Sequence, residues 1–500
     1  MSTAWAQAFS LVFEPYNIMV MLGASLFGLF VGAVPGLTAT MATALLVPVT
    51  FFMAPIPAIA AMVTATAMAI FSGDIPGCLL RMPGTPASAA YTDEAYAMTR
   101  KGMAETALGA GLVFSAVGGL FGTAVLMVAA PTLAEFALKF SSFEYFWLVL
   151  MGLTCAVFIS SDRPLKGLVT LFGGLLVACV GLNNPAAFPR FTFGNTNLLG
   201  GLGLVPMMIG MFAVSEIIRY MVDTAPAALI VDAKVGNVFR GMWALAVKYP
   251  KQILRGSVLG TLVGALPGAG ADIAAWMSYA MSKRFSKEPE KFGTGHVEGI
   301  VESGAANNSA LAGAWIPALV FGIPGDSITA IVIGVLYMKN MNPGPSLFTN
   351  NPQNIYAVFL LFIIANLIML PLGWLCIKVA KRILKVPRDL LMPVILLFCV
   401  VGAFAINNAA FDIGVMLIAG LVAYVLEENG FPISPLILGV VLGGMLEENL
   451  VSSLIKADGN VLAFFTRPIA ATLGVVTILI WLSPLLKLRR AASGLPSVVP

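Results

Sequence analysis

Residues 28–36 read Gly-Leu-Phe-Val-Gly-Ala-Val-Pro-Gly, and residues 260–268 read Gly-Thr-Leu-Val-Gly-Ala-Leu-Pro-Gly. They share a Val-Gly-Ala core and a closing Pro-Gly at an offset of 232 residues, 28 to 260. Further on, Met82-Pro83-Gly84-Thr85 is echoed by Ile323-Pro324-Gly325-Asp326 at an offset of 241, 82 to 323. A weaker echo relates Gly210–Glu216 to Gly439–Glu447. Three echoes in one order and at nearly one spacing predict two repeats, 1–235 and 236–500. Each of the first two motifs sets Pro-Gly inside an apolar run, where a helix has to break. Paired breaks at corresponding positions of two apolar halves point to a secondary transporter.

The rest of the chain supports a membrane setting. Of 500 residues, 59% are hydrophobic and only 10% charged, with a mean hydropathy of +0.93. A soluble protein carries about 25% charged residues and could not cover its surface with so few. This much apolar sequence also excludes disorder, and five scattered Cys exclude a disulfide scaffold. Long continuous runs, not alternating ten-residue strands, select helices over a barrel. The net charge of +4 has no dense basic patch, so no nucleic-acid partner is expected. Met1–Ser10 carries no Lys or Arg, so the first apolar segment, 18–34, is expected to remain in the mature protein.

Runs of membrane-spanning length predict ten to thirteen segments. They fall near 18–34, 38–54, 56–80, 106–130, 143–160, 165–182, 197–220, 303–321, 326–339, 354–380, 391–406, 410–426 and 461–486, with shorter pairs near 256–280 and 433–446. Lys248, Lys251 and Arg255 precede the 256–280 stretch, and Lys283, Arg284, Lys287 and Lys291 follow it. Both flanks read as cytoplasmic by the basic-loop bias. About 25 residues are too few for two crossings, so a re-entrant hairpin with its tip at Gly264–Gly268 is expected. Lys378, Lys381, Arg382, Lys385 and Arg388 also read as cytoplasmic, as do Lys487, Arg489 and Arg490. The number of crossings per repeat, odd or even, decides whether the repeats are inverted or parallel.

Broken helices concentrate the chemistry. A half-helix N-terminus presents free N–H groups and partial positive charge to a carboxylate, while a C-terminus offers carbonyls to a cation. The candidate substrate contacts are therefore Pro35, Gly36 and Thr38 at the first tip and Pro267, Gly268 and Gly270 at its counterpart. Pro83, Gly84 and Thr85, with Pro324 and Gly325, form the second pair. The plainer alternative is that Gly and Pro only allow kinks and close helix packing. Asn307 and Asn308 open an otherwise apolar run, and carboxamides can bridge a substrate carboxylate and a sodium ion. With Asp326 and Ser327 they make a candidate sodium site; helix capping is the alternative for the Asn pair and for Asp326. Asp74 is a second acid in apolar surroundings, costly unless paired or functional. Arg81 is either a carboxylate partner or a snorkelling side chain. Asn183-Asn184 and Asn407-Asn408 read as caps, and Glu427-Glu428 and Glu447-Glu448 as helix ends. His296 is the only histidine. No Walker A, HExxH or GxSxG pattern occurs, so neither ATP hydrolysis nor a common hydrolase chemistry is expected, and no cofactor beyond a coupling ion.

At the level of whole motifs, the chain resembles the large membrane subunit of tripartite tricarboxylate transporters. The signatures are VGAVPGLTATMATALLVPVTF from Val31, MPGTPASAAYTDEAYAMTRKG from Met82, ESGAANNSALAGAWIPALVFGIPGDS from Glu302, and MNPGP at 341–345. FGNTNLLGGLGLVPMMIGMFAVSEI from Phe193 and SPLILGVVLGGMLEENL from Ser434 fit the same pattern. The resemblance implies a bacterial inner-membrane permease that works beside a small membrane subunit and a periplasmic solute-binding protein. It implies uptake of a small carboxylate, such as citrate or a dicarboxylate, driven by a sodium or proton gradient. The expected fold is then an all-α polytopic membrane protein of two sequence-related repeats, with broken helices and re-entrant hairpins, moving as an elevator-like secondary transporter. A stand-alone sodium/carboxylate symporter is the alternative. One departure is the stretch Tyr91–Tyr96, where the family commonly has a shorter acidic-glycine turn, which leaves the role of Asp93 open.

Overall fold

The computed structural model describes residues 2–159, 164–182, 188–222, 236–384 and 388–492. Asn183, Asn184 and Lys385 lie outside the described residues. Eight described helices are long and apolar enough to cross a membrane, and five shorter apolar helices accompany them. Among the described residues the one β feature is an isolated bridge between Gly181 and Arg190. The chain is an all-α, multi-pass membrane protein.

Local chemistry sets many of the helix ends. Pro15–Ala33, Pro55–Ser72, Pro250–Gly264 and Pro352–Ile383 each start on a proline, whose fixed φ and missing N–H suit the first turn. Two of the expected segments are helices too short to cross a bilayer by themselves. The segments 38–54 and 326–339 are the helices Ala39–Phe51 and Ser327–Met338, of 13 and 12 residues. At 1.5 Å per residue they reach about 20 Å, short of a bilayer core of about 30 Å. Each begins at a capped residue just after a Pro-Gly break, which is why it cannot extend backwards. The 256–280 stretch breaks where expected: Pro250–Gly264 and Gly270–Phe285 pack on each other across residues 265–269.

Two compact units emerge from the packing, and they cut across the division at residue 235. The first comprises the described residues of Met1–Ala137 and Gly203–Ile433. In it, helix Pro15–Ala33 lies against Pro55–Ser72 so closely that a Cβ at Gly28 or Gly32 would strike the carbonyls of Ala65 or Ala69. Helix Pro250–Gly264 lies against Val297–Phe321 in the same way, with Gly260 and Gly264 on the carbonyls of Ala306 and Ala310. Also in this unit, Leu204–Val222 crosses Ala410–Glu428 at Gly210 and Gly420. Arg219 ties that crossing together through Glu216 and Glu427, both at 2.5 Å.

The second unit comprises the described residues of Leu138–Leu202 and Ser434–Pro500. Its helix Ser434–Lys456 crosses Pro164–Ala178 at Gly439 and Gly174, and Arg190 pairs with Glu447 at 2.7 Å. Trp147, Phe464 and Ala470 form its core, with the indole N–H of Trp147 donating to Phe464 O at 3.0 Å. Arg467 binds the buried Glu144 at 2.6 Å. The glutamates expected at helix ends, 427, 428 and 447, are thus arginine partners.

Candidate functional site

Four chain breaks converge in the first unit. At the first, helix Pro15–Ala33 ends, Gly36 takes φ 85°, and Thr38 caps Ala39–Phe51 by accepting the Met41 N–H at 3.2 Å. At the third, helix Pro250–Gly264 ends, Gly268 takes φ 83° and Gly270 φ 60°, and helix Gly270–Phe285 begins. Positive φ at these turns is what glycine supplies at no steric cost.

The second and fourth breaks also correspond. Helix Asp74–Leu80 ends on Arg81 at φ 58°, and helix Val297–Phe321 ends on Gly322 at φ 69°. Four residues later, Thr85 and Asp326 each form a reciprocal cap with the residue three further on, Ser88 and Thr329. Between them, a Cβ at Gly84 would press on Gly32 O, and one at Gly325 on Gly264 O. Those two glycines therefore hold each capped helix start against the end of the neighbouring hairpin. The Gly84 N–H donates to Gly73 O at 3.0 Å, and the Gly268 N–H donates to Gly325 O at 2.8 Å.

The breaks meet across the two halves of the chain. Within the second half Gly270 abuts the Cβ of Asp326; across the halves the Trp276 indole donates to Pro86 O at 3.2 Å, and Ala39–Phe51 packs on Ser327–Met338. Each hairpin is also fastened by the opposite half. Lys339 donates to the carbonyls of Phe51 and Met53 at 2.8 and 2.7 Å. The buried Glu94 accepts the backbone N–H groups of Gly293, Gly295 and His296, the last two at 2.7 and 2.8 Å, and the Tyr279 hydroxyl at 2.8 Å. Arg255 grips the fully buried Glu302 through two nitrogens at 2.6 and 2.5 Å. Charge-assisted bidentate pairs of this kind fix geometry as well as add energy.

Pro35, Gly36, Thr38, Pro83, Gly84, Thr85, Pro267, Gly268, Gly270, Pro324, Gly325, Asp326 and Ser327 thus all lie at these four breaks. Asn307 and Asn308 do not cap anything: they sit buried in the middle of Val297–Phe321. Asn307 donates to the Tyr91 hydroxyl at 3.4 Å, and Asn308 to Ala67 O at 3.5 Å. Ala67 and Asn308 stand 241 residues apart, so the two halves touch at one and the same position of the offset. Gly325 lies beside Ala314, seven residues of helix beyond Asn307, which is about 10 Å along the axis. The break that carries Asp326 therefore lies about two helical turns beyond the Asn pair. Asp326 holds the Thr329 N–H at 2.8 Å, which makes it a cap. Arg81 pairs with the exposed Asp93 at 2.8 Å. Asn407 donates to Asp412 at 2.8 Å, and Asn408 ends its helix at φ 52°.

Sequence reasoning passed over Tyr91, Glu94, Lys339 and the Arg255–Glu302 pair. Their partners lie between 17 and 288 residues away, and no local spacing signals them. A cavity of about 430 Å³ beside Phe27, Leu45 and Phe398 is lined only by apolar residues, so it offers nothing to a carboxylate.

Comparison with known proteins adds three findings. The model of the family described as "Tripartite tricarboxylate transporter TctA family" matches residues 18–438. An "Uncharacterized 52.8 kDa protein in TAR-I ttuC' 3'region" of Agrobacterium vitis is 33% identical over 489 residues, 96% of each chain. An "Uncharacterized protein in TAR-II ttuC' 3'region" of the same organism is 36% identical over 234 residues, covering 46% of this chain and 97% of that protein. No solved structure matches.

Proposed function

The chain belongs to the tripartite tricarboxylate transporter TctA family, and from that premise we propose that it is the large permease subunit of a carboxylate uptake system. In this reading a periplasmic solute-binding protein delivers a tricarboxylate or dicarboxylate, and a small membrane subunit completes the complex in the bacterial inner membrane. A sodium or proton gradient drives uptake. The observation that carries the proposal is the convergence of four helix breaks, each opening a helix N-terminus at Thr38, Thr85, Gly270 or Asp326. Helix N-termini stabilise negative charge through unpaired N–H groups and the macrodipole.

The matching contacts in the two halves support the two-repeat reading. Gly28, Gly32 and Gly84 meet the same kinds of partner, at the same offsets, as Gly260, Gly264 and Gly325. The Gly210–Gly420 and Gly439–Gly174 crossings add a further matched pair. Substrate would bind between Pro35–Thr38 and Pro267–Gly270, flanked by Pro83–Thr85 and Pro324–Gly325. Alternating access would come from an elevator-like movement of the broken-helix elements. Coupling requires that each ligand raise the affinity for the other.

The test is uptake of labelled citrate and a panel of dicarboxylates into vesicles holding this chain and its small partner. Uptake that needs both the periplasmic protein and one imposed gradient is the expected result. Uptake at full rate without the periplasmic protein would replace this reading with a stand-alone symporter.

A further inference from the structure

Asp74 is a buried acid of the broken-helix region with no counter-ion among the described residues, and one of its carboxylate oxygens has no partner there at all. It follows Gly73, where helix Pro55–Ser72 breaks, and it is 5% exposed. Its Oδ1 accepts the Tyr91 hydroxyl at 2.6 Å, while its Oδ2 has no donor among the described residues. Tyr91 has a single proton, and that proton goes to Asp74. The Tyr91 oxygen can therefore only accept from Asn307, which must present its NH₂ and leave its own Oδ1 turned away. That Oδ1 is fully buried and likewise has no partner among the described residues. Ser303, one helical turn before Asn307 on the same face, has a buried and unpartnered hydroxyl as well. The helix opposite supplies Gly111, where a Cβ would press on Asp74 Oδ2, and Gly111 faces Gly304.

Two acceptor oxygens with no donor, one of them a carboxylate, are short of positive charge. Resting on the transporter reading, we infer that Asp74, with Asn307 and Ser303, forms the site of a monovalent coupling cation, H⁺ or Na⁺. Among the described groups, Tyr91 and the Cys78 thiol are the titratable neighbours facing Asp74, and neither brings a positive charge. The acid has no twin: at the offset of 241 its counterpart is Trp315, buried against Phe362.

Its place in the fold explains how it couples. Gly73, the neighbour of Asp74, is bonded to Gly84 and pressed against Thr85, at the break proposed to meet the substrate. A bare Asp74 charge repels an arriving carboxylate at Thr85. A cation at Asp74 removes that repulsion, so each ligand favours the other.

The experiment uses vesicles with the full chain, its small membrane partner and the periplasmic protein, loaded with a labelled carboxylate found to be transported. Sodium and proton gradients are imposed in separate arms. In Asp74→Asn, accumulation should fall about tenfold or more, and residual uptake should become indifferent to the gradient that drives the wild type. The arm that loses its effect names the ion. Residual uptake that keeps the wild-type dependence on the cation overturns the inference. Should Asp74→Asn fail to fold, Tyr91→Phe carries the test. It should shift the cation concentration for half-maximal uptake by about tenfold, and an unshifted value overturns the inference. A wild type that shows no gradient-dependent uptake of any carboxylate sinks the transporter reading itself, a separate failure.

Discussion

At the second break the chain leaves its helix through Arg81 at φ 58° and re-enters a helix at Thr85; at the fourth it leaves through Gly322 at φ 69° and re-enters at Asp326. The backbone follows one plan in both places, down to the reciprocal cap and the glycine seated on a neighbouring helix end. The side chains differ. One cap is a neutral hydroxyl and the other a carboxylate, and one helix stop is a cation where the other is a glycine. The fastenings differ too: Lys339 holds carbonyls of one hairpin, and Glu94 holds amides after the other. The matched glycines build a common frame, and the polar groups set on it differ in charge.

If that division is right, the matched glycines should be equally intolerant of substitution. Neither Gly84 nor Gly325 has positive φ, so the cost of a side chain is steric: at Gly84 it meets Gly32 O and Gly73, and at Gly325 it meets Gly264 O and Ala314. Gly84→Ala and Gly325→Ala should each destabilise by about 1–3 kcal/mol, the usual cost of overpacking. Thermal unfolding of the purified variants measures both. A loss at one break without the other would break the comparison.

The caps should separate the two breaks more gently. Thr85→Ala and Asp326→Ala each lose a cap, about 1 kcal/mol apiece, and Asp326 adds a charge-to-helix contribution of about 0.3–1 kcal/mol. Asp326→Asn keeps the cap and should recover most of the loss. Measuring its unfolding beside its cation-dependent uptake sharpens the point. Uptake that loses its cation dependence in Asp326→Asn would return Asp326 to the ion site and take that role from Asp74 alone.

Much of this frame can be read from sequence because helix breaks and apolar runs are local. Pro-Gly marks each break, and the hydropathy runs fall on the observed helices. The run 326–339 matches Ser327–Met338 within a residue at each end, while 38–54 overruns Ala39–Phe51 only at its C-terminal end, because the residues before Pro55 are apolar without being helical. The Asn307-Asn308 pair is visible in the sequence; its partner Tyr91 is not. Hydrogen bonding to Tyr91, 216 residues away, depends on how helices cross, which no period records. Asp74 stood out as an acid in apolar surroundings; that it lacks a counter-ion emerged only with the packing. Glu94 gives no signal at all, because a carboxylate in a polar stretch looks solvated until the loop it binds is known.

The smallest effect belongs to the helix stop. Arg81 occupies a left-handed conformation that costs a residue with a Cβ about 1–2 kcal/mol, whereas Gly322 takes it freely. Arg81→Gly removes that strain. It also discards an ion pair whose members are 63% and 67% exposed, so the pair contributes at most about 1 kcal/mol. The added freedom of glycine in the unfolded chain takes back about 0.5–1 kcal/mol more. The three nearly cancel, and Arg81→Gly should unfold within about 0.5 kcal/mol of the wild type. Its uptake should stay near normal as well, since the guanidinium is engaged by Asp93. Collapse of uptake with stability intact would mean that Arg81 exchanges Asp93 for the carboxylate of the substrate, giving the second break a cationic contact that the fourth, with its glycine, cannot supply.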